Sequence, residues 1–349
     1  MKPIIELQHL SRSFEIKRQK IKAVDDVNLT LNEGEVVCLV GESGCGKTTT
    51  GKMIANLLAP TGGRILFRGK DINQMNSEDR RKHRMSVQMI HQDPYASLNP
   101  AHTIYDIISA PLRHHKITQD EKATYKRVIE LLELVDLTPP EDLLDKFPHQ
   151  LSGGQRQRVS VARAITVQPT YIVADEAVSM VDVSIRISLL KMMTRLKDKL
   201  GMSFLFITHD LALAKYFAWE GRIGVMYLGR LVEIAPSRQL VEQPQHPYTK
   251  VLLSAIPEAD PERTRSKQRI ELRSMDVPSL LRLPGGCSFH PRCPYFDGEK
   301  CENVVPELTY FTDSSAVACH PVQAQRQAEL AHAPSGTRSG PEAGKYDRS

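Results

Sequence analysis

The sequence predicts an α/β protein with a mainly parallel central sheet, because over the first 250 or so residues short apolar runs alternate with helical periodicity. Glu35 to Val40, Tyr171 to Ala174 and Ser203 to Ile207 are short, predominantly apolar runs, as expected of strands buried on both faces. A second observation is the hairpin-like patterning of Ile4 to Leu10, Ile21 to Leu31 and the turn Thr61 to Phe67, which predicts an antiparallel patch beside the parallel core. Between about Tyr95 and Ile165 the period becomes helical, and Val128, Ile129, Leu131, Leu132, Leu134 and Val135 form one amphipathic stripe, read as core packing.

The 349 residues, 41% hydrophobic and 25% charged, suit one large unit plus an appendage. The net charge of +5 is small for this length, so the cluster Arg80 to Arg84 reads as a solvated face rather than a nucleic-acid surface. No run approaches 18 apolar residues and the N-terminus lacks a signal-peptide core, which predicts a cytosolic protein brought to a membrane only by partners. The expected organisation is a first unit over 1–255, with a helical part at about 95–165, then a Cys-containing extension over 256–322. Pro261 to Lys267 reads as a linker, and 323–349, which lacks an apolar face, as a disordered tail.

Gly41-Glu42-Ser43-Gly44-Cys45-Gly46-Lys47-Thr48 fits the pattern G-x-x-x-x-G-K-[ST] and lies between a predicted strand and a helix that opens at Thr49 and runs to Leu58. Glycines let backbone N–H groups curl round phosphate oxygens, and the helix N-terminus favours their charge. Lys47 then meets the β- and γ-phosphates of ATP, and Thr48 ligates Mg²⁺. The strand Tyr171 to Ala174 ends in Asp175 and Glu176, which sets Asp175 beside the metal and Glu176 beside an attacking water. Leu151-Ser152-Gly153-Gly154-Gln155 opens another helix, rich in small and basic residues.

In this order and spacing, these segments resemble the ATP-binding subunit of an ABC transporter over residues 4–250. Gln92 resembles the Q-loop glutamine, Ser179-Met180-Val181-Asp182 the D-loop, and His209 the switch histidine. Phe14 is read either as an adenine-stacking aromatic or as a core phenylalanine. The resemblance implies a P-loop NTPase core with an antiparallel β subdomain and a helical signature subdomain. It also implies that ATP is sandwiched between the phosphate loop of one subunit and Ser152, Gly153, Gly154 and Gln155 of a second, identical or paralogous. Glu176 would polarise water, His209 would contact the γ-phosphate, and Gln92 would sense Mg²⁺. Four positions depart from the family pattern: Ala177 replaces a proline, Met180-Val181 replace Ala-Leu, and His91 replaces a phenylalanine. None of them removes a charge or a phosphate donor.

Asp93 to Pro100 and Gln245-His246-Pro247-Tyr248-Thr249 resemble segments of the oligopeptide, dipeptide and nickel import group. That implies two permease subunits, an extracytoplasmic solute-binding protein, and residence on the cytoplasmic face of the inner membrane, with no nucleic acid involved. Peptides are the expected cargo, with oligosaccharides or metal chelates as alternatives. The rival class is a soluble ATPase acting on nucleic acid or the ribosome. Proteins of that class carry two ATPase units or a long coiled-coil insertion, which this chain lacks.

Cys287, Cys293, Cys301 and Cys319, at separations of 6, 8 and 18 residues, suit a [4Fe–4S] cluster. The resemblance, which extends to Phe289-His290-Pro291-Arg292-Cys293-Pro294, favours that reading. Structural zinc, with His290 or His320 as substitute ligands, stays open as an alternative, as does no metal at all.

Overall fold

The computed structural model describes residues 2–16, 18–256 and 270–332; the expected linker at 261–267 and the segment 333–349 lie outside the described residues. β1 (Pro3–Ile16) and β2 (Gln19–Asn32) form a long antiparallel hairpin. β3 (Val36–Val40) leads through a loop into α1 (Lys47–Ile54). β4 (Gly62–Phe67) and β5 (Lys70–Asp71) complete a sheet of order β2-β1-β4-β5. Thr61 to Phe67 is thus mainly a strand, not the turn its glycines suggested: it pairs with β1 from Ser11↔Gly62 to Ile5↔Phe67, and Ile65 and Phe67 are buried.

α2 (Ser77–Ser86), β6 (Val87–Ile90) and the short α3 (Pro94–Ser97) precede the helical part, which holds α4 (Ile104–His114), α5 (Glu121–Leu134), α6 (Glu141–Leu144) and α7 (Gly153–Ile165). Thr103 and Asp106 cap α4 reciprocally, satisfying two otherwise orphaned donors. Val128, Leu131, Leu132 and Val135 are fully buried, so the amphipathic stripe is core packing as expected. β7 (Tyr171–Asp175), α8 (Val183–Leu200), β8 (Ser203–Ile207), α9 (Leu211–Phe217), β9 (Arg222–Tyr227) and β10 (Arg230–Pro236) follow, then α10 (Ser237–Glu242) and α11 (Pro247–Ser254). The C-terminal part contributes α12 (Gly298–Asn303), β11 (Thr309–Thr312), β12 (Ser315–Val317) and α13 (His320–His332). The helix α13 occupies the start of the segment expected to be disordered; Ala, Gln, Glu and Leu there are good helix formers even without a strong apolar face.

The main sheet has the order β11-β12-β10-β9-β3-β8-β7-β6, with β9, β3, β8, β7 and β6 parallel. Strand periodicity divides the core in two. Cys38, Val40, Ile172, Ala174, Phe204 and Phe206 face the helical side, whereas Val37, Leu39, Tyr171, Val173, Leu205 and Ile207 face α1 and the antiparallel sheet. Burial on both faces explains why these strands read as continuous apolar runs. It also sets the C-terminal ends of β3, β7 and β8 side by side, where ligands of parallel sheets bind.

Candidate nucleotide site and the four-cysteine module

The phosphate loop leaves β3 after Val40 and enters α1 at Lys47. Gly46, at φ 105°, lies so close to β2 that a Cβ would stand 2.3 Å from the Ala23 carbonyl oxygen, so only glycine fits. α1 has neither a side-chain cap nor an acidic residue in its first turn, which leaves its N–H groups for an anion. The Lys47 ammonium is buried and donates to the carbonyls of Gly41 at 2.7 Å and Glu42 at 2.9 Å. Phosphate oxygens are stronger acceptors for it than these neutral carbonyls. Thr48 Oγ1 donates to Asp175 Oδ1 at 2.8 Å, joining the loop to the end of β7.

Burial pushes the Asp175 carboxyl up and the charge of Glu176 adds to this, while the Thr48 hydrogen bond pulls it down. A dication beside this pair would restore the carboxylate, so the donor set of Thr48 and Asp175 fits Mg²⁺. Glu176 sits at a left-handed φ of 44°, with its N–H donating to the Ile207 carbonyl at 2.9 Å. That turn brings three side chains together: Gln92 Nε2 donates to Glu176 Oε2 at 3.1 Å, and His209 Nδ1 lies 3.3 Å from Glu176 Oε1. Gln92, Asp175, Glu176 and His209, drawn from the ends of β6, β7 and β8, thus converge with Thr48.

Other predicted residues lie apart in a single chain. Ser152 caps α7, accepting from the Gln155 amide at 3.2 Å while Gln155 Oε1 accepts from the Ser152 amide at 3.0 Å. Gly153 and Gly154 form the first turn of α7, and these polar contacts of Ser152 run along its own helix rather than to the phosphate loop. Asp182 is exposed at the start of α8, flanked by exposed Met180 and Val183, whereas Ala177 and Val178 are core residues. Phe14 is half-buried outside both core clusters, with the Arg12 guanidinium 4.8 Å from its ring centroid. Ser43, Gly44, Cys45 and Thr49 complete the loop and the helix start. Two arginines were not singled out in the sequence. Arg156 stacks 3.7 Å from the Tyr95 ring centroid, and Arg163 donates to the Ser97 carbonyl, so α7 holds the segment after Gln92. Their i, i+7 spacing in a helix rich in small residues was the available signal.

Cys287, Cys293, Cys301 and Cys319 line one small cavity of about 10 Å³. None is in a disulfide, and burial pushes Cys293 up to about 11 and Cys319 up to about 12. His290 donates from Nδ1 to the Cys287 carbonyl and His320 from Nε2 to the Val304 carbonyl. Among the described residues no group of three or more His, Cys, Asp or Glu is arranged to hold a metal ion. The four cysteines line one cavity and their sulfurs are suitable ligands for a cluster or for zinc, but they are not arranged as a metal site in this structure.

A phosphate loop feeding a helix, a strand-end carboxylate pair and a capped Ser-Gly-Gly-Gln helix together define an ATP-hydrolysing cassette. Residues 24–179 match the family model described as ABC transporter, and residues 232–301 match that of the oligopeptide/dipeptide transporter C-terminal region. The chain is 46% identical over 286 residues to the oligopeptide transport ATP-binding protein OppF of Bacillus subtilis, covering 81% of this chain and 90% of that protein. It is 41% identical over 326 residues to AppF of the same organism, covering 91% and 97%. A dimeric bacterial ABC transporter cassette superposes with a TM-score of 0.61 at 28% identity, covering 67% of this chain and 99% of that one. The chain belongs to the ABC transporter ATP-binding proteins, in the oligopeptide/dipeptide group, and is an ATPase coupled to transport.

Proposed function

We propose that this chain drives peptide uptake, hydrolysing ATP as one of a pair of ABC subunits docked on two permease subunits, with an extracytoplasmic solute-binding protein delivering the cargo. The observation that carries the chemistry is the convergence of Gln92 and His209 on Glu176, next to the Thr48–Asp175 pair. Lys47 and the α1 N-terminus bind the phosphates. Thr48, Asp175 and Gln92 would hold Mg²⁺, which when bound would neutralise phosphate charge. Glu176 takes a proton from the attacking water as its oxygen bonds to the γ-phosphorus and the bond to ADP breaks. His209 orients Glu176 and contacts the γ-phosphate. Ser152, Gly153, Gly154 and Gln155 of the second subunit close the site, with Asp182 at the seam, and Phe14 stacks on adenine.

Peptide cargo is supported by the OppF and AppF similarity and by the C-terminal match. Attachment to the cytoplasmic face of the inner membrane through permeases belongs to this importer reading; among the described residues no helix is long and apolar enough to cross a membrane. For the cysteine module the reading is a [4Fe–4S] cluster, with structural zinc as the alternative; what supports it is the donor chemistry of four cysteines lining one cavity. Anaerobic purification with iron, sulfide and zinc analysis tests it, since stoichiometric zinc without iron overturns the cluster. The function is tested by reconstituting the chain with its permeases and binding protein in vesicles. Peptides should stimulate ATP hydrolysis and accumulate, and Glu176→Gln should retain ATP while hydrolysis falls by about 10²-fold or more. Uptake of a sugar or metal chelate with no response to peptides would refute the cargo assignment, and a wild-type rate in Glu176→Gln would refute the base.

A further inference from the structure

Glu42 is the second residue of the phosphate loop, and three of its groups are bound by other parts of the chain. Its carbonyl accepts from Lys47 Nζ at 2.9 Å, within the loop. Its amide donates to Tyr248 Oη at 3.0 Å across 206 residues of sequence, which ties the loop backbone to α11. Its carboxylate accepts Arg292 Nη1 at 3.0 and 3.1 Å across 250 residues. Arg292 lies between Phe289 and Cys293 in the cysteine module and is buried, and its Nη1 also meets Tyr227 Oη at 3.3 Å. Its backbone is fixed by a hydrogen bond from its own amide to the Phe289 carbonyl at 3.0 Å. Tyr227, Tyr248 and Phe289 pack in a triangle with centroid separations of 4.6, 5.2 and 5.3 Å, so β9, α11 and the cysteine module meet at one aromatic contact behind the loop.

We propose that Arg292 and Tyr248 are positioning residues of the phosphate loop, and that through Glu42 the C-terminal module sets the affinity of the cassette for ATP. This rests on the nucleotide reading of the loop. A buried guanidinium needs its anion, and Glu42 is the carboxylate that meets it. The module therefore cannot shift without either pulling Glu42 along or abandoning a buried charge. Moving Glu42 moves the carbonyl that holds Lys47, so displacement of the module passes directly to the phosphate-binding lysine.

The test uses the full chain and measures the Kd for a fluorescent ATP analogue with Mg²⁺, together with KM and kcat for ATP in the assembled transporter. Arg292→Gln and Glu42→Gln should each raise Kd and KM about tenfold with kcat little changed. The double variant should cost no more than either single one, because both remove the same contact. Arg292→Lys should recover part of the loss. Tyr248→Phe keeps the ring packing, orphans the Glu42 amide and should also weaken binding. A merely structural role would lower the folded, active fraction and hence apparent kcat at unchanged KM, which would overturn the proposal. Additive effects of the Arg292 and Glu42 changes, or a folded Arg292→Gln with wild-type Kd, would do the same. Should Arg292→Gln not fold, Glu42→Gln and Tyr248→Phe decide alone, because both leave the cysteine module intact, and wild-type affinity in both would reject the proposal. Lys47→Ala separates the two readings: if it binds the analogue as wild type does, the nucleotide site itself is misassigned and the coupling falls with it.

Discussion

Two glycines of the phosphate loop offer a paired experiment in which steric displacement is separated from backbone preference. Gly44, at φ 80°, and Gly46, at φ 105°, both occupy conformations that disfavour a side chain, at a cost of about 1–2 kcal/mol for alanine. Space around them differs. A Cβ on Gly44 meets nothing within 4 Å, whereas one on Gly46 would lie 2.3 Å from the Ala23 carbonyl oxygen, with Met226 Cε and Val24 Cγ2 each at 3.4 Å. Since a real Cβ contact stays beyond 3.0 Å, Gly46→Ala forces at least 0.7 Å of movement between the loop and β2. A misplacement of about 1 Å at a phosphate-holding group costs on the order of 10²-fold. Gly44→Ala should therefore weaken ATP binding about tenfold and Gly46→Ala about a hundredfold or more, measured as the Kd of a fluorescent analogue alongside thermal melts. Equal losses in the two variants would refute the argument from displacement.

Three further outcomes follow from burial. The Arg222 guanidinium is held by Glu35 and by the Thr30 carbonyl at 2.6 Å in the core, so Arg222→Met should cost about 3–5 kcal/mol in urea unfolding by leaving the buried Glu35 carboxylate without its counter-ion. The double change Arg222→Met, Glu35→Gln should recover much of that loss, and a single-variant loss below about 1 kcal/mol would contradict it. Burial, then the charge of Arg84, lowers His83 from 6.5 to about 4, so the unfolded chain binds the extra proton between these values. Its stabilising effect is complete above pH 6.5 and is lost as pH falls toward 4. About 2 kcal/mol should disappear between pH 7 and 5, and His83→Met should flatten that slope. Leu131→Ala, at a fully buried position in the helical core, should cost about 2–5 kcal/mol in the same assay, and a loss under 1 kcal/mol would show that the stripe is not core packing.

The parts legible in the sequence are those encoded locally. β3, β7 and β8 announce themselves as apolar runs because both of their faces are covered, and Gly41 to Thr48 does so because phosphate binding constrains consecutive residues. Thr61 to Phe67 misled because two glycines resemble a turn, while the pairing with β1 that makes it a strand lies some 50 residues away in sequence. From residue 323 onward the missing apolar face points to disorder, although the composition of α13 favours a helix. Gln92, Glu176 and His209 stand out only through family resemblance, and no period in the chain signals that the first and last meet Glu176. The bond from Arg292 to Glu42 had no local signal at all, since neither residue's neighbours distinguish it from a surface charge.

The pairing of β12 with β10 has a consequence for trimming the protein. Glu233↔Val317 and Ile234↔Ala316 close the side of β10 that β9 leaves free. A chain ending soon after α11 would bare a row of unpaired amides and carbonyls beside the buried residues Val232 and Ile234. Such a border recruits strands from other molecules, so the shortened cassette should self-associate or precipitate rather than remain a tidy catalytic fragment. Residues 309–317 therefore act as a selvage, and any truncation meant to isolate the ATPase must keep them or put charge on β10.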